Sequence, residues 1–174
     1  MKTLVNTAAV ELLISVIIGL TTVYITKILV MYFYLKKTNE SNPYKNLSFM
    51  IFLSATIFSV SYIVFGIMEP LSATIKIVGT TNVSMFDFIT ECIKYLLMFL
   101  VLGYSFSIFI IFITYKLFSM LTGRLDEYDE ILKNNIGVAI LVAVLLIVVA
   151  MFTKTPFISF VESFIPYPKL PTIL

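Results

Sequence analysis

Thr122-Gly123-Arg124-Leu125-Asp126-Glu127-Tyr128-Asp129-Glu130, then Lys133-Asn134-Asn135, then an unbroken apolar run from Ile136 to Phe152, then Lys154-Thr155-Pro156: the reading of this stretch decides the fold. The apolar run carries no charge and only Gly137 as a weak helix former. It approaches the roughly 20 residues that an α-helix needs to cross a bilayer. A charged loop and an amide-rich boundary precede it. A proline, which has no N–H to donate and clashes with the preceding turn, is expected to stop it. A shorter version of the same order runs from Lys36 to Pro70.

The composition agrees with a chain solvated by lipid. Of 174 residues, 60% are hydrophobic and 13% charged, and the mean hydropathy is +1.04. Soluble domains carry about 25% charged residues, so half the charge needed to wet a surface is missing. The length fits one membrane domain, residues 1–174. A net charge of +2 with no basic tract argues against nucleic acid, whose phosphates need clustered Lys and Arg. The single cysteine, Cys92, rules out a disulfide within the chain. There is no histidine, which removes the commonest general base and transition-metal ligand. No cofactor and no catalytic, cofactor-binding or metal site is expected. Tryptophan is absent, so tyrosine must supply any interfacial belt.

Four spans are expected. The first, Leu12 to Leu35, is read as a retained helix and not a cleaved leader, because Glu11 interrupts its approach and no small-residue cleavage site follows. Glu11, Ser15, Gly19, Thr22 and Thr26 fall on one face of it at helical spacing. That face is either a close helix–helix seam or a path for a solute. Lys27 lies inside the span, where a charge is a functional signal by default. It either snorkels toward the Lys36 end, pairs with a buried acid, or takes part in transport or gating.

A turn at Asn42-Pro43 leads to Asn46, read as the N-cap of the second span, Leu47 to Met68. Ala55 and Ser59 give that span a small-residue stripe, and Glu69-Pro70 is expected to close it. Leu71 to Thr90 is read as a loop. The third span lies within Ile89 to Leu117, with its core from Tyr95 to Tyr115. Glu91 and Lys94 are spaced to pair at its entrance, as a self-neutralised interfacial pair or as a gate. Gly103, Ser107 and Thr114 form its small or polar stripe.

The Lys116 to Asn135 loop is expected to hold a short amphipathic helix. Asp126 would cap it, with Leu125, Tyr128 and Leu132 on its apolar face. Its acidic residues lack the spacing and central glycine of a calcium loop and read as a solvated face. The fourth span is Ile136 to Phe152, with Ala139 and Ala143 as its small pair. Phe157 to Ile165 reads as an interfacial segment. Pro166, Pro168 and Pro171 impose an extended tail.

Lys36, Lys37, Lys45, Lys116, Arg124 and Lys133 follow spans one and three, while Lys2, Lys76, Lys154 and Lys169 fall on the other side. The positive-inside bias therefore places both termini outside. The two halves repeat one order: helix, charged loop, asparagine, helix, proline. Asn46 corresponds to Asn135 and Pro70 to Pro156. The expected fold is an all-α integral membrane protein of four transmembrane helices. They form two parallel two-helix repeats, about 8–71 and about 88–165, unlike the inverted repeats of many transporters.

Thr122 to Glu127 and Glu130 to Ala139, with Asn135, Gly137 and Ala139 as the anchors, resemble the second repeat of the YjfL-like membrane proteins, domain-of-unknown-function family 350. Asn46-Leu47-Ser48 resembles the first repeat, with serine where the family tends to alanine. The resemblance covers nearly the whole chain. It implies a four-span bacterial inner-membrane protein, often encoded near envelope-stress genes, and it carries over no catalytic residue.

Function is expected to be that of a self-assembling or partner-binding membrane module, with the bilayer, further copies or other envelope proteins as partners. The competing expectation is a subunit of an oligomeric ion or small-solute channel, with Thr22, Thr26, Lys27, Glu91 and Lys94 as its candidate pore or packing residues. A membrane enzyme using Glu11, Glu69 and Glu91 is the third reading.

Overall fold

The computed structural model describes residues 2–37, 43–80, 84–123 and 126–167, with the backbone alone for 2–10. Every regular element among them is helical: α1 (Lys2–Lys37), a single 3-10 turn at Pro43–Lys45, α2 (Leu47–Gly66), α3 (Met68–Gly79), α4 (Met85–Leu121), α5 (Glu127–Leu132) and α6 (Ile136–Glu162). Four stretches are long and apolar enough to cross a membrane: Glu11–Lys37, Leu47–Gly79, Met85–Leu121 and Ile136–Glu162. Asn42, Arg124, Leu125, Pro168, Lys169 and Pro171, which entered the turn, loop, tail and charge readings, lie outside the described residues.

α2 is the axis of the bundle. In its most apolar stretch 56% is buried, against 17% for α1 and 22% for α4. It packs on α1, α4 and α6, and most extensively on α6. Both α2 and α6 start at the same end, because the backbone N–H of Ser48 donates to Asn134 Oδ1 at 3.0 Å. They are therefore parallel neighbours. Small residues let them approach: Ala55 and Ser59 on α2 and Ala139, Ala143 and Ala150 on α6 are all buried. A Cβ added to Gly66 would stand 3.0 Å from Ile158 Cγ1 on α6.

The core has two parts. At the asparagine end it gathers Tyr34, Phe49, Phe52, Leu53, Phe118, Ile131, Val142 and Leu146. At the opposite end it gathers Ile63, Val64, Ile67, Leu71, Phe99, Phe157 and Val161.

The proline stops are corrected by the structure. Pro70 does not end the second span in a loop. It sits in the first turn of α3, where an absent N–H costs little. Pro70 has no N–H to give the Gly66 carbonyl four residues back; the ladder breaks at Ile67, whose N–H pairs with the Val64 carbonyl at 3.1 Å, and the helix resumes as α3. The expected Leu71 to Thr90 loop is thus largely helical and buries Leu71, Thr74 and Val78. Pro156 stands inside α6, which runs on to Glu162. An interior proline costs about 3 kcal/mol. Phe157 offsets it by stacking on Phe106 of α4, ring centroids 4.4 Å apart. Phe157, Val161 and Ile165 are buried, so the expected interfacial segment is core.

Candidate functional site: a lateral groove with a charged mouth

The asparagine end is built by three amides. Asn46 caps α2, its Oδ1 accepting from Phe49 N–H at 2.9 Å. Its Nδ2 donates to the carbonyls of Ile131 at 3.0 Å and Leu132 at 3.1 Å at the end of α5, where the Ile131 carbonyl also accepts from Asn134 N–H at 3.0 Å. Asn134 adopts φ 62, a left-handed conformation that asparagine tolerates, and this aims its side chain at Ser48. Asn135 caps α6 by accepting from Val138 N–H at 3.3 Å, and donates to Glu130 Oε2 at 2.9 Å. Asp126 caps α5 through the N–H groups of Tyr128 and Asp129. The amides thus fasten α5 beneath α2 and α6. Glu130 is held below the usual carboxylate range by Asn135 and then Lys133, and Lys133 is raised above the usual lysine range by Glu130.

On the other side of α2 the helices part. α1 and α4 leave between them a groove of about 950 Å³, floored by Phe52, Thr56 and Val60 of α2. Its walls are Ile25, Thr26, Leu29, Val30 and Phe33 of α1 and Tyr104, Ser107, Ile108, Ile111 and Tyr115 of α4. At its deep end Thr22 Oγ1 and Tyr104 OH meet at 3.0 Å, joining the two walls. At its mouth stand Lys36, Lys37, Glu127 and Tyr128. Lys37 Nζ lies 3.1 Å from Asp129 Oδ1 and 4.5 Å from the centre of the Tyr128 ring. Lys36 has no carboxylate partner among the described residues. Burial, then the neighbouring Asp126, pushes the Glu127 carboxyl up, while its own backbone amide and Lys37 pull it down. Burial also pushes the Tyr128 phenol up to about 12. The Tyr128 hydroxyl is buried with no hydrogen-bond partner among the described residues.

The candidate residues from the sequence fall in three places. Thr22 and Thr26 are buried; Thr26 lines the groove, and Thr22 touches it only through Tyr104. Lys27, next in line, is exposed, with its Nζ 5.8 Å from the centre of the Tyr44 ring. Glu91 and Lys94 pair with each other at 3.4 Å near the start of α4, largely exposed. Lys94 is ten residues, about 15 Å of helix, before Tyr104, so the structure does not bring the pair to the threonines. Of the three candidate acids, Glu11 accepts from Ser72 Oγ at 2.8 Å and lies 3.8 Å from Lys76, tying α1 to α3. Glu69 is exposed. Gly137 is exposed at the start of α6, and Ala139 is fully buried. Lys154, counted among the loop charges, is inside α6 with its Nζ 4.1 Å from the centre of Tyr62 and 5.1 Å from that of Phe65.

The mouth residues were hidden in the sequence for a physical reason. Glu127 looks like part of a solvated acidic run and Tyr128 like part of an apolar face laid on the bilayer, and only the α5 fold turns them toward α1. No local pattern marks Tyr104, whose partner Thr22 is far away in the chain.

The model of the DUF350 family, a domain of unknown function, matches residues 3–155. The chain belongs to the DUF350 family. No curated protein and no solved structure matches it. The family match takes in the groove, its mouth and all three asparagines, and four candidate membrane spans make this a multi-pass membrane protein.

Proposed function

We propose that this DUF350 chain is a non-enzymatic module of a bacterial inner membrane that assembles with copies of itself or with other envelope proteins. It is built from two parallel two-helix repeats, α1–α2 and α4–α6, with both termini outside and the asparagine end in the cytoplasm. The observation that supports it most is where the hydroxyls of the spans go. Thr56, Ser107 and Thr114 donate to carbonyls one turn back, at 2.8, 2.8 and 2.9 Å, and Thr22 is spent on Tyr104. Ser48, Ser59 and Ser61 of α2 keep buried hydroxyls without a partner among the described residues, but none of them lines the groove, which leaves the surface as the working part. Lys36, Lys37, Lys45, Lys116 and Lys133 near the asparagine end support the orientation.

A second reading, a subunit of an oligomeric channel, draws on Lys27. It is a charged side chain on the outward face of a span, so any pore would lie between copies. Counting subunits in particles extracted with their lipid into nanodiscs tests both readings. A dimer, or a stable complex with another envelope protein, supports the module. A closed ring that conducts favours the channel, and Lys27→Ala must then change its flux. Solitary monomers at membrane-like concentration, with nothing bound, overturn both.

A further inference from the structure

The groove has the proportions of one lipid and not of a helix. Its α1 wall runs from Ile25 to Lys37. Twelve helical steps at about 1.5 Å give roughly 18 Å. One leaflet of a hydrocarbon core of about 30 Å is roughly 15 Å deep. The trough is therefore about one leaflet long, closed at its deep end by the Thr22–Tyr104 contact and charged only at the other. Its volume of about 950 Å³ lies at the upper end of the usual range for small-ligand sites, about 300–1,000 Å³. An inserted helix would gain nothing from a mouth carrying both signs of charge. A phospholipid whose headgroup carries both signs would.

We infer that the groove seats a single phospholipid bearing a primary ammonium group, its acyl chains on Phe52, Thr56, Val60 and Ile108, its phosphate at Lys36 and Lys37, and its ammonium at Glu127. Two observations choose this headgroup. Lysines and a carboxylate line the same mouth, which matches phosphate beside ammonium and penalises a purely anionic headgroup at Glu127 and Asp129. Lys36 has no carboxylate partner among the described residues. A phosphate oxygen supplies an anionic partner. Charge-assisted bonds from an ammonium to a carboxylate need N–H donors, so a trimethylated headgroup fits worse.

The test is native mass spectrometry of the delipidated full chain, titrated separately with dioleoyl phosphatidylethanolamine, phosphatidylcholine and phosphatidylglycerol. The expected result is one retained lipid, with the ethanolamine form held about tenfold tighter than either other form. Glu127→Gln should erase that preference, weakening the ethanolamine form and strengthening the glycerol form, with the melting temperature of the detergent-extracted protein as the check on folding. Ile108→Trp, which fills an exposed wall of the trough, should weaken all three. Equal retention of the three lipids, tighter binding of the glycerol form, or a preference that survives Glu127→Gln overturns the proposal. So does a second copy in the groove, detected by cross-linking of an Ile108→Cys, Cys92→Ser chain that retains no lipid.

Discussion

α2 touches α6 on one side and spans the gap between α1 and α4 on the other, and the two sides follow opposite rules. Toward α6 lie Ala55, Ser59 and Gly66 facing a helix with Ala139, Ala143 and Ala150, and the backbones close up. Toward the gap lie Phe52, Thr56 and Val60, between walls of Ile, Leu, Phe and Tyr that hold one another away. Apolarity is the same on both sides, so it does not decide which helices meet. In lipid, where burying apolar surface gains little, side-chain size and polar fastening decide it. The seam is fastened by three asparagines at one end. The gap is pinned at its two ends by Thr22–Tyr104 and by Lys37–Asp129, which ties α1 to α5.

The largest way to break the contrast is to remove the fastening. Asn46→Ala should cost about 2 kcal/mol: about 1 for the lost cap and about 1 for the Leu132 carbonyl left without its donor, since the Ile131 carbonyl keeps the Asn134 N–H. Asn135→Ala, whose side chain bonds only locally, should cost about 1 kcal/mol. Reversible unfolding in mixed micelles measures both, and equal losses would remove the difference between the two caps. Next comes size. Ala139→Leu should overpack the seam and cost about 2 kcal/mol. Ile108→Ala on the gap wall, 63% exposed, should stay within about 0.5 kcal/mol in the same assay. A costly Ile108→Ala would mean that the gap is closed in the membrane.

How much of this was legible in the sequence depended on the range of the interaction. The four spans, the Asn46 and Asp126 caps and the helix through Glu127 follow from local rules, because hydropathy and capping act within a few residues. The prolines misled, because a proline's local cost says nothing of what the chain beyond it can gain. Phe157 stacking on Phe106 and the buried face of α3 repay the missing bonds, and both partners are distant in sequence. The DUF350 membership was legible because the anchors Asn135, Gly137 and Ala139 are contiguous with a charged loop. The groove was not, since Thr26, Tyr104 and Glu127 share it only after three helices and a short one have packed. Asn134 belongs to the amide-rich boundary before the fourth span, and its left-handed turn onto Ser48 has no sequence mark beyond being an asparagine.

A gentler perturbation sharpens the gap side. Thr22→Val and Tyr104→Phe remove one hydroxyl each and keep volume nearly constant. Polar contacts between membrane helices average about 0.6 kcal/mol in double-mutant cycles, so that is the coupling expected between these two. Additive losses would show that the two walls are held apart and together by shape alone.

The smallest effect is a proton at the fastened end. Asn135 and Lys133 hold Glu130 below the usual carboxylate range, so the unfolded chain binds this proton more readily than the folded one. The contribution of Glu130 is therefore present above the ordinary carboxylate value, and it fades as pH falls through the lower folded value. Lys133 runs the other way: its raised value keeps its contribution intact below the ordinary lysine value and loses it as pH rises through the folded one. Between those limits the Glu130 contact to Asn135 stays closed. The side-chain amide protons of Asn135, followed by NMR in detergent, should titrate with a midpoint below that of an unperturbed glutamate and should be flat in Glu130→Gln. A midpoint at or above the ordinary value would show that Glu130 gains nothing from Asn135, and would reduce the α6 cap to a bond of Asn135 with its own helix.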